Sequence, residues 1–278
     1  VTEFDQAIIL DESSAAAFHN RALAKEYAGS LTEAVDDYTK SIELEPDLSV
    51  AYANRASVYS KLGDLQSALS DLNQALILDD RSVSAHNRHG LTLLSLGNPQ
   101  EALVSLDRAI ELDLEFFPAY GNRAIAYGRL GQTLLAMADY DKSIQLNPDY
   151  GVAYRNRGIE YLARGELELA ISDFNRTIEL EPGLPSPYVS RGFAHATLGD
   201  LTAAVEDYDR AISVDPAYLD SYINRASAYD AMGRLEEAIS DYTTALLLAP
   251  NSPTPYFNRG ASYHAQDDLQ NALADFEK

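Results

Sequence analysis

The chain has no cysteine, and its 278 residues include only two methionines. Without cysteine, disulfides, thiolate metal sites and a cysteine nucleophile are all excluded, although the absence names no redox compartment. No apolar run approaches the ~20 residues that a helix needs to span a bilayer, so no membrane partner is expected. Basic residues are scarce: 21 Lys and Arg face 43 Asp and Glu, for a net charge of −22. Nucleic-acid affinity comes largely from Lys and Arg displacing counterions from phosphates, so nucleic acid is not an expected partner either. Also missing are a phosphate-binding loop, a dinucleotide fingerprint, a nucleophile elbow and a zincin motif. The sequence therefore predicts no catalytic residue, no metal site and no cofactor, and reads as a non-enzyme. It opens at Val1 inside a helical pattern, with neither an initiator Met nor a basic-then-apolar leader, which reads as a fragment or a trimmed chain and leaves localisation open.

What the chain does have is a period. Glycine recurs every 34 residues at Gly29, Gly63, Gly97, Gly131, Gly165, Gly199 and Gly233, and an alanine follows five places after each, from Ala34 to Ala238. A fixed period of this size predicts stacked helix-turn-helix units, an all-α solenoid in which function lies on a surface. With the glycine at position 15, the units run 15–48, 49–82, 83–116, 117–150, 151–184, 185–218, 219–252 and an incomplete 253–278. Residues 1–14 read as the second helix of a truncated unit. Position 4 is aromatic or His, as at Tyr52, His86 and Tyr120, and position 8 is Ala or Gly throughout, as at Ala56 and Gly158. Position 20 is always Ala, position 24 is aromatic or Leu, and position 32 is often Pro. Small residues at 8 and 20 let two helices approach closely while the large ones fill the space beside them. Glycine at 15 ends the first helix, A, in a left-handed cap, and proline at 32 stops the second, B.

This alternation of small and aromatic positions resembles the tetratricopeptide repeat along the whole chain, in a variant that carries Asn-Arg followed by Gly or Ala, as in Asn122-Arg123-Ala124 and Asn156-Arg157-Gly158. The resemblance implies antiparallel helix pairs stacked into a right-handed superhelix of about eight repeats, roughly one full turn, with a concave groove lined by the A helices.

Arg at position 7 has a candidate partner. Arg21, Arg55, Arg123, Arg157, Arg191, Arg225 and Arg259 occur in units whose position 23 is Asp37, Asp71, Asp139, Asp173, Asp207, Asp241 and Asp275. The third unit alone breaks both, with His89 and Ser105. One correlated exception among eight copies points to contact across the seam between helices A and B, as a hydrogen-bonded ion pair; joint duplication of residues that never meet is the alternative. His86 and His89 stand one turn apart, a spacing that two metal ligands could use, but no Cys or third His completes a site. They read instead as replacements for Tyr and Arg.

The stripe opposite the core face of helix A predicts where a partner would bind. Position 6 carries Asn20, Asn54, Asn122, Asn156, Asn224 and Asn258, interrupted by Arg88 and Ser190. An Asn amide both donates and accepts, so a row of them can hold the peptide groups of an extended chain. The row resembles the asparagine ladder in the superhelix of O-GlcNAc transferase; its alternative is bonding within the repeat. Beside it stand apolar Leu91, Leu94, Ile125, Ile159, Leu162, Val189, Phe193, Ile223 and Phe257, a stripe of the kind that marks a contact surface unless neighbouring A helices cover it. Family members that clamp a C-terminal carboxylate use Lys at positions 2 and 5, and this chain has none there.

These features predict a protein-interaction scaffold that takes a partner peptide in its groove. Two other readings stay open: a substrate-recruiting part of a larger enzyme, and a self-associating rod. For the last, apolar Phe4, Ala7 and Ile8 at one end and Leu269, Leu273 and Phe276 at the other predict head-to-tail stacking.

Overall fold

The computed structural model describes all 278 residues, which form seventeen α-helices and no strand. They fall into two compact units. The first, Val1–Pro148, holds α1 (Thr2–Leu10), α2 (Ala15–Tyr27), α3 (Leu31–Leu44), α4 (Ser49–Leu62), α5 (Leu65–Leu78), α6 (Val83–Ser95), α7 (Pro99–Leu112), α8 (Phe117–Arg129) and α9 (Thr133–Leu146). The second, Asp149–Lys278, holds α10 (Gly151–Ala163), α11 (Leu167–Leu180), α12 (Pro185–Thr197), α13 (Leu201–Val214), α14 (Leu219–Ala231), α15 (Leu235–Leu248), α16 (Pro253–Ala265) and α17 (Leu269–Phe276). From α2 onward the even-numbered helices are the A helices and the odd-numbered ones the B helices.

Each A helix ends where the sequence places its glycine. All seven recurring glycines have φ between 72° and 88°, the left-handed region that a Cβ resists. The cap closes with a six-residue hydrogen-bonded loop, seen where the Ser30 amide donates to the Lys25 carbonyl at 2.9 Å. The eighth turn has Asp267 in this place, at φ 61°. Asp64, Asp200 and Asp268 then start their B helices by accepting an amide three residues on, which satisfies donors that the first helical turn leaves free.

The core lies between A and B. Position 24 supplies its largest members: Tyr38, Leu72 and Leu106 in the first unit and Phe174, Tyr208 and Tyr242 in the second are fully buried. Each such side chain contributes about 1.5–3 kcal/mol of burial, and each needs a small residue opposite. A Cβ added to Gly158 would sit 2.8 Å from the Phe174 ring, so the close approach of α10 to α11 requires position 8 to stay small.

The expected pairing of arginine with aspartate occurs in all seven places. Arg157 Nε and Nη2 donate to Asp173 Oδ2 and Oδ1 at 2.8 and 2.7 Å, and the same two-pronged contact joins Arg21 to Asp37, Arg55 to Asp71, Arg123 to Asp139, Arg225 to Asp241 and Arg259 to Asp275. Arg191 holds Asp207 similarly. Hydrogen bonding to the carboxylate pushes the Arg55, Arg123 and Arg225 guanidiniums up, against burial, so they stay charged. The third nitrogen was not legible in the sequence. Nη1 reaches the preceding B helix at position 25, donating to Asp5 from Arg21, Thr39 from Arg55, Asp107 from Arg123, Asn175 from Arg191 and Thr243 from Arg259, at 2.6–2.9 Å. One guanidinium thus ties an A helix to the B helices on both sides, and tyrosines at positions 4 and 11 flank it: Arg55 lies 5.8 and 5.7 Å from the Tyr52 and Tyr59 ring centres.

The third pair keeps this geometry without charge. His89 contacts Ser105 Oγ at 2.7 Å and Asn73 Oδ1 at 3.0 Å. His86 likewise replaces tyrosine: its Nε2 lies 3.0 Å from the Asp80 carbonyl, as Tyr120 and Tyr222 donate to the carbonyls of Leu114 and Pro216.

Candidate partner-binding face of the A helices

In the first unit the A-helix face exposes Leu91, at 43%, among polar groups that are largely engaged with one another. Asn20 is exposed and Asn54 half-buried. Asn54 Nδ2 lies 3.4 Å from His19 Nε2, and Arg88 Nη1 donates to the Ala53 carbonyl at 3.0 Å and to Asn54 Oδ1 at 3.4 Å. His19 Nδ1 is buried without a partner, and burial holds this imidazole below its ordinary pKa. Glu26 accepts from the Tyr38 hydroxyl at 3.1 Å and pairs with Lys61 at 2.7 Å. Asn122 is buried and donates to Asn87 at 2.9 Å, a bond to the preceding repeat rather than one within its own. Leu94 is buried too, and Ile125 packs half-covered against the cluster that Leu94 forms with Leu93 and Leu106. Pockets of about 310 and 240 Å³ flank Arg88, the larger lined by Ser57, Ser60, Leu91 and Ser95.

The second unit presents a different face. Ile159, Phe193 and Phe257 are 46%, 48% and 65% exposed. Leu162, Ile223, Asn156, Asn224 and Asn258 are half-buried among them. Val189, expected on this stripe, is instead buried with Tyr188, Ala204 and Tyr208, because position 5 of α12 turns towards α13 and α14. Asn224 Nδ2 donates to the Asp220 carbonyl at 2.8 Å. Asp230 is satisfied internally by the Tyr242 hydroxyl at 3.1 Å and Ser262 Oγ at 2.8 Å; burial and the Asp230 charge together push Tyr242 up to about 12. Between α12 and α14 opens a pocket of about 340 Å³ beside Phe193, with Asn224 and Ser227 on the opposite wall. Sequence reasoning missed this pocket. Its signal is the fall in size at position 9, from Ile159 and Phe193 to Ser227.

At the chain's ends, α1 exposes Ile9 and Leu10 while Phe4, Ala7 and Ile8 are half-covered, and α17 exposes Leu269, Leu273 and Phe276. No group of three His, Cys, Asp or Glu is placed to hold a metal ion, and no helix is long and apolar enough to cross a membrane.

Family models described as TPR repeat match residues 196–233 and 228–267, and others described as tetratricopeptide repeat match 15–48, 37–70 and 80–147. The chain belongs to the tetratricopeptide-repeat family. No curated protein sequence matches it. Among solved structures, the APC/C hetero-tetramer Cut9–Hcn1 aligns at 17% identity over 95% of this chain and 54% of the other, with a TM-score of 0.67. PilW, a type IV pilus biogenesis factor, aligns at 21% over 73% of this chain and 94% of its own, also at 0.67. A tetratricopeptide repeat protein from Parabacteroides merdae aligns at 24% over 82% and 91%, at 0.62. The chain thus spans about half the length of the Cut9–Hcn1 chain, and at these identities the likeness shows the fold alone. Tetratricopeptide arrays are typical of protein-interaction scaffolds and are generally non-catalytic.

Proposed function

We propose that the chain is an interaction scaffold of the Asn-Arg-Gly/Ala subtype, with repeats bounded as the 34-residue period gives them, which binds an extended partner segment on its A-helix face. The observation that carries this is the exposure of Ile159 and Phe193 beside the half-buried amides of Asn156, Asn224 and Asn258. Large apolar side chains left in water on a surface that also offers hydrogen-bonding amides suit a peptide ligand. In the first unit the exposed Asn20, with Asn54 and Arg88, forms a more polar counterpart.

The test is a footprint. A peptide selected from a display library should slow amide exchange in α10, α12, α14 and α16, and Phe193→Asp should abolish its binding with helicity unchanged. Protection confined to the B helices, or affinity retained by Phe193→Asp, would overturn the reading. The exposed apolar residues of α1 and α17 favour a second reading, head-to-tail self-association, which sedimentation across a concentration series decides.

A further inference from the structure

We propose that the pocket between α12 and α14 is an anchor site for a single uncharged apolar side chain of an extended partner, and that Asp220 selects a basic residue next to that anchor. This rests on the peptide-binding reading above and names the chemistry it would take.

The pocket of about 340 Å³ is walled by Phe193, Ala196, Thr197, Asn224, Ser227 and Ala231. None of these carries a charge, although the chain as a whole carries −22. An ionised partner group entering here would lose hydration without gaining a counter-charge, whereas a Leu, Met or Phe side chain would cover the exposed Phe193 ring. The hole exists because Ser227 and Ala231 are small where Phe193 on the neighbouring helix is large. Asn224 spends one amide hydrogen on the Asp220 carbonyl and keeps its Oδ1 as an acceptor. A peptide N–H can use that acceptor only if the partner backbone is extended, since a helix interior has no free N–H to offer.

Selectivity comes from Asp220. It stands one turn before Asn224 on the same face of α14 and is exposed. Asp230, the other acid on this face of α14, is occupied by Tyr242 and Ser262. A Lys or Arg flanking the anchor residue therefore meets the exposed Asp220 carboxylate, and an acidic flank is repelled by it; Arg155 of α10, whose charge also reaches this end of α14, is the one base nearby.

The experiment selects random nine-residue peptides by display on the full chain, then re-assays bound clones on Ser227→Trp, Ala231→Leu and Asp220→Lys, with Asp220→Asn as the milder charge change. Expected clones carry Leu, Met or Phe beside Lys or Arg. Both pocket-filling variants should weaken them at least tenfold, and Asp220→Lys should exchange the basic preference for an acidic one. Clones that map to the A helices yet ignore the filling and charge variants would overturn the anchor site and leave the groove reading standing. Clones that map to the B helices, or a selection that yields none, would sink both.

Discussion

His89 Nδ1 lies 2.7 Å from Ser105 Oγ, across the seam between α6 and α7; in the equivalent seam between α10 and α11, Arg157 and Asp173 form two charge-assisted hydrogen bonds. The Asn73 carbonyl oxygen can only accept, so His89 Nε2 carries the proton and Nδ1 takes the serine hydroxyl. Burial, reinforced by the neighbouring His86 charge and opposed by Glu101, holds His89 below its ordinary pKa. Asp107 and Arg108, which also line this region, are paired with Arg123 and Glu111. A depressed histidine pKa means that the unfolded chain binds its proton first, so the stability is present above the unfolded value and is lost as pH falls through the folded one. Native-state hydrogen exchange, corrected for intrinsic rates, should show α6 and α7 opening more readily at pH 5 than at pH 7. Replacing the pair by His89→Arg with Ser105→Asp should remove that local loss. An unchanged pH dependence in the double variant would refute the assignment.

The charged seam should be strongly coupled. The side chains of Arg157 and Asp173 are 17% and 6% exposed, so removing the arginine leaves a buried carboxylate uncompensated. Arg157→Ala is expected to cost about 3–5 kcal/mol. In a cycle with Asp173→Ala, the double variant should recover about 1.5–3 kcal/mol relative to the sum of the singles, measured by urea unfolding. Additive losses would show that the two groups share no energy.

The helix pairing and the Arg–Asp seam could be read from sequence because both repeat with a correlated exception, His89 with Ser105. The third arm of the arginine could not. Its acceptors are Asp5, Thr39, Asp107, Asn175, Asp209 and Thr243, which share an oxygen but no single residue type. The face itself was legible as a stripe and not as a surface. Asn122, Leu94 and Val189 fit the pattern yet are buried, because how far neighbouring A helices close over a position depends on packing that periodicity does not encode. The pocket beside Phe193 depends on which small residues fall opposite it on the next helix, a relation between repeats rather than within one.

Asp267 offers a gain in stability. It holds φ 61° where the other turns place glycine, and a side chain in that region costs about 1–2 kcal/mol. Glycine also loosens the unfolded chain, so Asp267→Gly should stabilise by a net of about 0.5–1 kcal/mol. Gly165→Ala, at φ 75° with open space around the added Cβ, should destabilise by a similar amount through backbone conformation alone. Thermal unfolding with opposite shifts for the two variants would bear this out, and shifts of the same sign would not.

The three arms of the arginine should differ in strength according to their exposure. Arg225 reaches Asp241 in the seam and Asp209 on the preceding B helix, but the Asp209 side chain is 53% exposed whereas that of Asp241 is 8% exposed. Water screens the outer pair and leaves the inner one in a poorly hydrated crevice, so Asp209→Ala should cost about 0–1 kcal/mol, well below the loss from Arg225→Ala. The salt response separates them further, since an exposed pair weakens with ionic strength far more than a buried one. Raising salt from low to about 1 M, where the screening length falls to ~3 Å, should erase the cost of Asp209→Ala and leave most of the cost of Arg225→Ala. Equal penalties for the two variants at every salt concentration would mean that the outer arm, and not the seam, holds α14 in the stack.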